Sequence, residues 1–371
     1  MPRKVVDTIL PTTMVGSYPR PLWYKHQLLG RDLLDAFKLE EHHHAWEDAT
    51  TAVIGDQQRA GLDIVTDGQM HFDDYGGAIG SFVWYWYERI PGFFKHKLRN
   101  PLNLGNPIET GASEAEVNMW HNWGGTKVTE RVSRGLPSRL VEMYEYANAV
   151  ADRPVKVSIG AGPPNLGFHV DYNAPDSAYK TQRELAEDLA PIFNQELKDL
   201  VAAGAEYLQL EDLGGWLLTP DNKEGEWVID VMNAWVDGVD AKLAWHCCLG
   251  TGYGNAVHGL KEALPLIVEN MYRVNVEQLV LDFALRDMAD VHALKDMPKD
   301  REVQAGVIDV RTLQIETDDE IVARIHKLLD VVPAEQVYLS TDCGLKALPR
   351  FCAKEKIQAL VRSARRVRAE L

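Results

Sequence analysis

Positive charge, cysteine and long apolar runs are all scarce in this chain. Its 371 residues carry 39 Lys and Arg against 55 Asp and Glu, a formal net charge of −16. That sign excludes no small anion but argues against a polyanionic partner such as nucleic acid. No apolar run approaches the ~20 residues that a membrane-spanning helix needs. The opening Met-Pro-Arg-Lys-Val-Val-Asp has no apolar stretch of signal-peptide type, so neither a span nor a signal peptide is expected. Only four cysteines occur: Cys247, Cys248, Cys343 and Cys352. Two are adjacent, a poor basis for a disulfide framework, so reduced thiols in a cytoplasmic protein are expected. Gly16-Ser17-Tyr18-Pro19 lacks the glycine spacing of a dinucleotide-binding loop.

What the chain does have is strand–helix alternation. Eight short apolar runs read as strands: 12–16, 62–66, 155–159, 207–210, 242–247, 278–283, 303–308 and 337–340. Helical periodicity is clear over 178–203, where Leu185, Leu189, Ile192, Phe193 and Leu197 share a face, and again over 318–329. Alternation of this kind argues for a parallel sheet, and eight units argue for a (β/α)8 TIM barrel. The expected organisation is one catalytic domain over 1–371. Within it, residues 70–154 form an insertion after the second strand, far longer than an ordinary connection. It is rich in aromatics, among them Tyr75, Phe82, Trp84, Tyr85, Trp86, Tyr87, Phe93 and Phe94. A lid, a pocket wall, a dimer contact in a homo-oligomer and an extra packed hairpin or helix all fit that composition.

Polar residues mark the strand ends: Ser17, Asp67, Glu211, His246, Asp282, Asp309 and Cys343. Barrel active sites gather at that face. His246 and Cys248 are two apart, so on one strand they point the same way while Cys247 points opposite. With Cys343 from a distant strand end they make three soft ligands. Three protein ligands and one open position suit a catalytic zinc, and such a zinc suits the activation of a substrate thiol. Asp282, on the next strand, is either a fourth ligand displaced by the thiol or the residue that orients His246. The run His42-His43-His44 lies in a Glu-flanked helical stretch and reads as a solvated face. His71, His121 and His169 read as surface or satisfied core histidines.

These motifs resemble the catalytic domain of cobalamin-independent methionine synthase. Thr-Thr-Met-Val-Gly-Ser-Tyr-Pro from residue 12, Tyr-Leu-Gln-Leu-Glu-Asp from 207, His-x-Cys at 246 and Asp-Cys-Gly-Leu-Lys from 342 fall in the family's order. The resemblance spans nearly the whole chain and extends to short single-barrel relatives, including epoxyalkane:coenzyme M transferases. It implies a zinc-held thiolate that attacks an alkyl carbon, with His246, Cys248 and Cys343 as ligands. The family's glutamate ligand matches Asp282. The N-terminal half of the two-domain synthases has no counterpart here, so an incomplete polyglutamyl-folate surface is expected.

Two departures bear on the substrate. A family acid that holds the homocysteine ammonium matches Gln69, which is neutral, while a second matches Glu211. One lost carboxylate removes roughly 1.5–3 kcal/mol of charge-assisted hydrogen bonding. The family's proton-donating histidine matches Arg311, which does not deprotonate but anchors a sulfonate, carboxylate or phosphate well. With an epoxide, tyrosines of the insertion or Arg311 are candidates for stabilising the opening alkoxide; with a methyl donor, Asp67 and Asp309 are candidates for protonating the leaving amine, or they cap their strand ends. Ser17 matches a substrate-backbone contact, or it bonds its own turn. The expected partners are a small-molecule thiol and an alkyl donor: an anionic thiol such as coenzyme M with an epoxide or alkyl compound, or homocysteine with a methyl-folate or corrinoid. The alternatives are a metal-free lyase of the uroporphyrinogen-decarboxylase type and a non-catalytic thiol- or metal-binding barrel.

Overall fold

A computed structural model describes residues 2–24, 40–72, 83, 85–93, 126–135, 137–249 and 263–371. Seven strands form one parallel sheet in chain order: β1 Val65–Thr66, β2 Val155–Ala161, β3 Tyr207–Glu211, β4 Lys242–His246, β5 Gln278–Asp282, β6 Glu302–Ile308 and β7 Val337–Thr341. The described helices longer than one turn are α1 Glu40–Ala60, α2 Leu140–Val150, α3 Gln182–Ala202, α4 Trp227–Val236, α5 Leu264–Met271, α6 Asp318–Leu329 and α7 Arg350–Arg368. One of them separates each successive strand pair except β5 and β6, which short 3-10 turns connect. Their ends carry ordinary signals. Thr181 accepts from Glu184 N to start α3, and Thr317 with Glu320 forms a capping box on α6.

The sheet curls until its edges are bridged by residues 11–13. Thr13 N donates to Leu339 O at 3.0 Å and Leu339 N to Pro11 O at 2.8 Å, on the β7 side. Asp63 N and Ile64 N donate to Thr12 O at 3.1 Å, just ahead of β1. The architecture is TIM-barrel-like. The expected strand at 12–16 pairs in the parallel ladder through Thr12 alone, and that at 62–66 shrinks to β1. Side chains take the ladder's place there. Thr12 N and Oγ1 both donate to Asp63 Oδ2, at 2.8 and 2.7 Å. Gln57 of α1 brackets Thr66, donating to its carbonyl at 2.8 Å and accepting its N–H at 2.9 Å.

Alternation along the strands divides the core. Val157, Leu208, Leu210, Leu243, Trp245, Leu279 and Leu281 face the helices and join the main cluster. Tyr207, Ala244, Val280 and Tyr338 face inward with Val15 and Ile64. The inner face is otherwise polar, and its centre is Lys156, which has no exposed surface. Its ammonium donates to Met14 O, Gln209 Oε1 and Gln304 Oε1 at 2.7, 2.6 and 2.7 Å. Burial pushes the Lys156 pKa well down, while Glu211 works against that shift. Three acceptors for three N–H groups match the protonated form. A second buried pair, Lys242 and Glu302, lies among Tyr207, Gln278 and Tyr338.

The long segment between β1 and β2 is described only in part. Tyr75, Phe82, Trp84, Phe94 and His121 lie outside the described residues. Tyr85, Trp86, Tyr87 and Phe93 are buried, with Trp86 against Phe193 of α3 and Tyr87 stacked on Phe93. Of the histidine run, His44 is exposed, while His43 lies within 3.5 Å of Glu47 and Glu142.

Replacing Lys156 with methionine strands three buried acceptors. Lys156→Met is expected to lower the unfolding free energy by about 3 kcal/mol, measured by urea denaturation. A midpoint and slope equal to the parent's would contradict the assigned network.

Candidate metal centre

The site is assembled at the C-terminal ends of the strands. His246 ends β4, and two residues later Cys248 turns back toward it. Cys343 follows β7. The Nε2 of His246 lies 4.0 Å from Cys343 Sγ, and one ligand atom from each of the three residues falls within 4.8 Å of the others. Tetrahedral zinc with bonds of about 2.0 and 2.3 Å would set a nitrogen and a sulfur roughly 3.6 Å apart. The donor set and its spacing therefore fit zinc with a small contraction. Nδ1 of His246 lies 3.2 Å from Val280 O. A proton on Nδ1 donated there leaves Nε2 free to face the thiols. His246 is buried, while both cysteines are part-exposed. Cys247 is fully buried, and burial raises its thiol pKa well above the usual range.

Asp282 stands outside this cluster. Its Oδ1 accepts Leu249 N at 2.8 Å and its Oδ2 accepts Arg286 Nη1 at 2.7 Å. Arg286 is held in turn by Asp290 at 2.9 Å. Burial raises the Asp282 pKa to about 6; Cys248 adds to the rise and Arg286 opposes it. With both oxygens engaged, Asp282 supports the residue after Cys248.

Asp342 does the same for Cys343. Its buried carboxylate accepts three consecutive backbone N–H groups, from Phe283, Ala284 and Leu285, at 2.9, 2.9 and 2.7 Å. Thr341 Oγ1 fixes the Cys343 carbonyl at 2.8 Å. The turn then packs on Ser17, whose carbonyl accepts Leu345 N at 2.8 Å. A Cβ at Gly344 would stand 1.9 Å from Ser17 Oγ, so a larger residue there forces the Ser17 side chain to move.

Glu211, Gln69 and Ser158 form a second group. Glu211 Oε1 accepts Gln69 Nε2 at 3.0 Å, Gln209 Nε2 at 3.2 Å and the Ser158 hydroxyl. Gln69 also donates to Ser158 Oγ at 2.7 Å. The Gln69 backbone lies in the left-handed region, φ 54°, with its N–H held by Asp67 Oδ1 at 2.9 Å. A non-glycine residue there stores about 1 kcal/mol or more of strain, a common mark of functional sites. Asp67 Oδ2 lies 2.9 Å from His71 Nδ1, and both side chains are buried. Asp309 and Arg311 sit past β6. Arg311 Nε lies 3.3 Å from Asp309 Oδ1, and its Nη2 reaches Leu285 O at 3.4 Å. That contact ties Arg311 to the loop held by Asp342. The structure thus brings His246, Cys248 and Cys343 together, groups Glu211 with Gln69, and leaves Asp282 in support.

The model of the family described as "Cobalamin-independent synthase, Catalytic domain" matches residues 10–119 and 126–366. The chain belongs to the cobalamin-independent methionine synthase family. A methionine synthase of Sulfolobus acidocaldarius is 32% identical over 368 residues, covering 98% of this chain and 94% of that protein. A 2-hydroxypropyl-CoM lyase of Xanthobacter autotrophicus is 31% identical over 398 residues, covering 98% and 96%. The B12-independent methionine synthase from Shewanella sp. W3-18-1, solved with selenomethionine, has the same fold. Its TM-score is 0.73 at 24% identity, with 98% of this chain and 99% of that one covered. The chain is an enzyme of this transferase family. Among the described residues no helix is long and apolar enough to cross a membrane.

Ser158, Gln209, Asp342 and Arg286 were not singled out by sequence. Asp342 lies inside the Asp-Cys-Gly motif. Ser158 and Gln209 carry the signal of period 2, as polar residues at every second position of apolar strands.

The contact between Gly344 and Ser17 is open to a double-mutant cycle. Gly344→Ala is expected to cost about 1–3 kcal/mol by overpacking, and Ser17→Gly in the same chain to recover most of it. Additive losses in thermal unfolding would contradict the assigned contact.

Proposed function

We propose that the chain is a zinc-dependent thiol alkyltransferase. In this reading it is one (β/α)8 catalytic domain over 1–371, with 12–16 as the eighth strand and 70–154 as an insertion. His246, Cys248 and Cys343 are the zinc ligands. The observation that carries it is the convergence of one imidazole nitrogen and two thiols within 4.8 Å at the strand ends of a member of this family. Zinc, when bound there, supplies an open position that makes a thiol ionise near neutral pH.

The residues around the ligands orient the reactants. Val280 O holds the His246 ring, and Asp282 and Asp342 hold the segments that carry the two cysteines. Ser17 and the Glu211–Gln69–Ser158 group receive the body of the thiol. Asp67 and Asp309 hold or move the proton that the leaving group takes up. The bond formed is sulfur to carbon; the bond broken joins that carbon to an epoxide oxygen or to the donor's heteroatom.

Two departures, Gln69 and Arg311, lean toward an anionic thiol such as coenzyme M, alkylated by an epoxide or small alkyl compound. Gln69 brings no charge, and Glu211 faces Lys156 through the Gln209 amide. Arg311 offers a guanidinium whose partner is the adjacent Asp309. The lyase relative's name supports this choice. Methyl transfer to homocysteine from a methyl-folate or corrinoid is the second reading, supported by the carboxylate at Glu211 and by the methionine synthase relatives. A lyase of the uroporphyrinogen-decarboxylase type has no use for three converging soft ligands. The reduced cysteines and the absence of a described spanning helix suit a cytoplasmic enzyme.

Purified protein is expected to hold close to one zinc per chain by elemental analysis, with a large loss in Cys343→Ala. No zinc after reconstitution would overturn the proposal. Coenzyme M is expected to protect the zinc from a chelator better than homocysteine does. Equal protection would remove the support that Gln69 gives to an anionic thiol.

A further inference from the structure

One peptide unit in the centre is gripped from both sides. The amide joining Cys248 to Leu249 donates its N–H to Asp282 Oδ1 at 2.8 Å, and its carbonyl accepts the indole Nε1–H of Trp216 at 2.8 Å. Asp282 comes from the end of β5, whereas Trp216 comes from the loop after β3. The two grips come from opposite neighbours of β4, which ends two residues before Cys248.

The loop that delivers Trp216 is built for a close approach. Its 3-10 turn, Leu213–Leu217, starts at Asp212, whose carboxylate accepts Gly214 N at 2.6 Å and Asn165 N at 3.0 Å. The Asp212 carbonyl accepts the Trp245 indole N–H at 2.9 Å, and its N–H donates to His246 O at 3.0 Å. The turn therefore lies against β4 on both sides of His246. Gly215 makes that contact feasible, because a Cβ there would stand 2.6 Å from Cys247 Sγ. Trp216 is only partly buried, and among the described residues the ring of Phe168 lies 6.5 Å away. Trp216 packs on the edge of the core, and from there its N–H meets the carbonyl of Cys248 itself. The loop begins directly after Glu211, so the residue proposed to receive the substrate body and the one that holds the Cys248 carbonyl are five residues apart on one connection.

We propose that Trp216 is a positioning residue of the metal centre, acting with Asp282 to fix the Cys248–Leu249 peptide and so the direction of the Cys248 thiol. This rests on the reading of His246, Cys248 and Cys343 as metal ligands. Outer partners of metal ligands typically change affinity 10- to 100-fold when removed. Trp216→Phe keeps the ring and deletes the donor.

The test compares full-length parent, Trp216→Phe and Cys343→Ala. Zinc affinity is read by chelator competition, and the thiolate-to-metal and d–d bands are read after cobalt(II) substitution. Metal-free thermal unfolding reports on the fold. The expected result for Trp216→Phe is a metal-free midpoint near the parent's, zinc binding at least tenfold weaker and shifted cobalt bands. Parent-like affinity and bands would overturn the role of Trp216 while leaving the ligand set intact. Full metal binding by Cys343→Ala would remove the ligand set itself, and the inference with it. Should Trp216→Phe fail to fold, Trp216→Leu, which also lacks the donor, is read against the same criteria.

Discussion

The buried ammonium of Lys156 is the constraint on which the other site-bearing elements depend. A cation enclosed by protein is tolerated only where its donors are matched, and here each acceptor belongs to a different part of the site. Met14 lies three residues before Ser17. Gln209 turns its carbonyl to the lysine and must then turn its amide outward, where it donates to Val15 O at 2.7 Å and to Glu211. Gln304 likewise presents its amide to Ser340 Oγ at 2.8 Å, three residues before Cys343. One charge thereby sets the orientation of two amides, and those amides align β3, β7 and the bridging segment before Ser17, whose ends carry Glu211, Cys343 and Ser17.

Above that layer the two cysteines sit on irregular backbone, beyond the last paired residues of β4 and β7. Carboxylates tie that backbone to its neighbours. Asp342 collects three N–H groups of the β5 loop, and Asp282 takes one from Leu249. Both acids have their pKa values raised, in each case chiefly by burial. Hydrogen bonds keep the oxygens of these carboxylates engaged, while one nitrogen and two sulfurs of His246, Cys248 and Cys343 converge. Soft ligands and engaged oxygens together favour zinc over magnesium or calcium.

The parallel alternation and the positions of the site-bearing strand ends were legible in the sequence because apolar runs and helical periodicity report directly on burial. The strand at 12–16 was legible as an apolar run but not as a bridge, because Asp63 and Gln57 satisfy its surroundings through side chains. His246, Cys248 and Cys343 could be picked out by residue type and strand-end position. The support behind them could not. Asp282 reads as a ligand candidate by its place after an apolar run, and only the fold shows its two oxygens engaged by Leu249 and Arg286. Trp216 carries no motif at all, since a tryptophan in a loop looks like packing until its N–H is traced to a carbonyl. Lys156 was legible in principle, as a lysine in the apolar run Val-Lys-Val-Ser-Ile, but its partners come from three other elements distant in sequence.

The central claim is that one imidazole and two thiolates hold a zinc with room for a substrate thiol. X-ray absorption at the zinc edge, with and without added coenzyme M or homocysteine, tests it most directly. The expected result is a first shell of one nitrogen and two sulfurs, with sulfur at about 2.3 Å and a third sulfur added in the presence of the accepted thiol. A shell without sulfur, or one that no thiol changes, would contradict it.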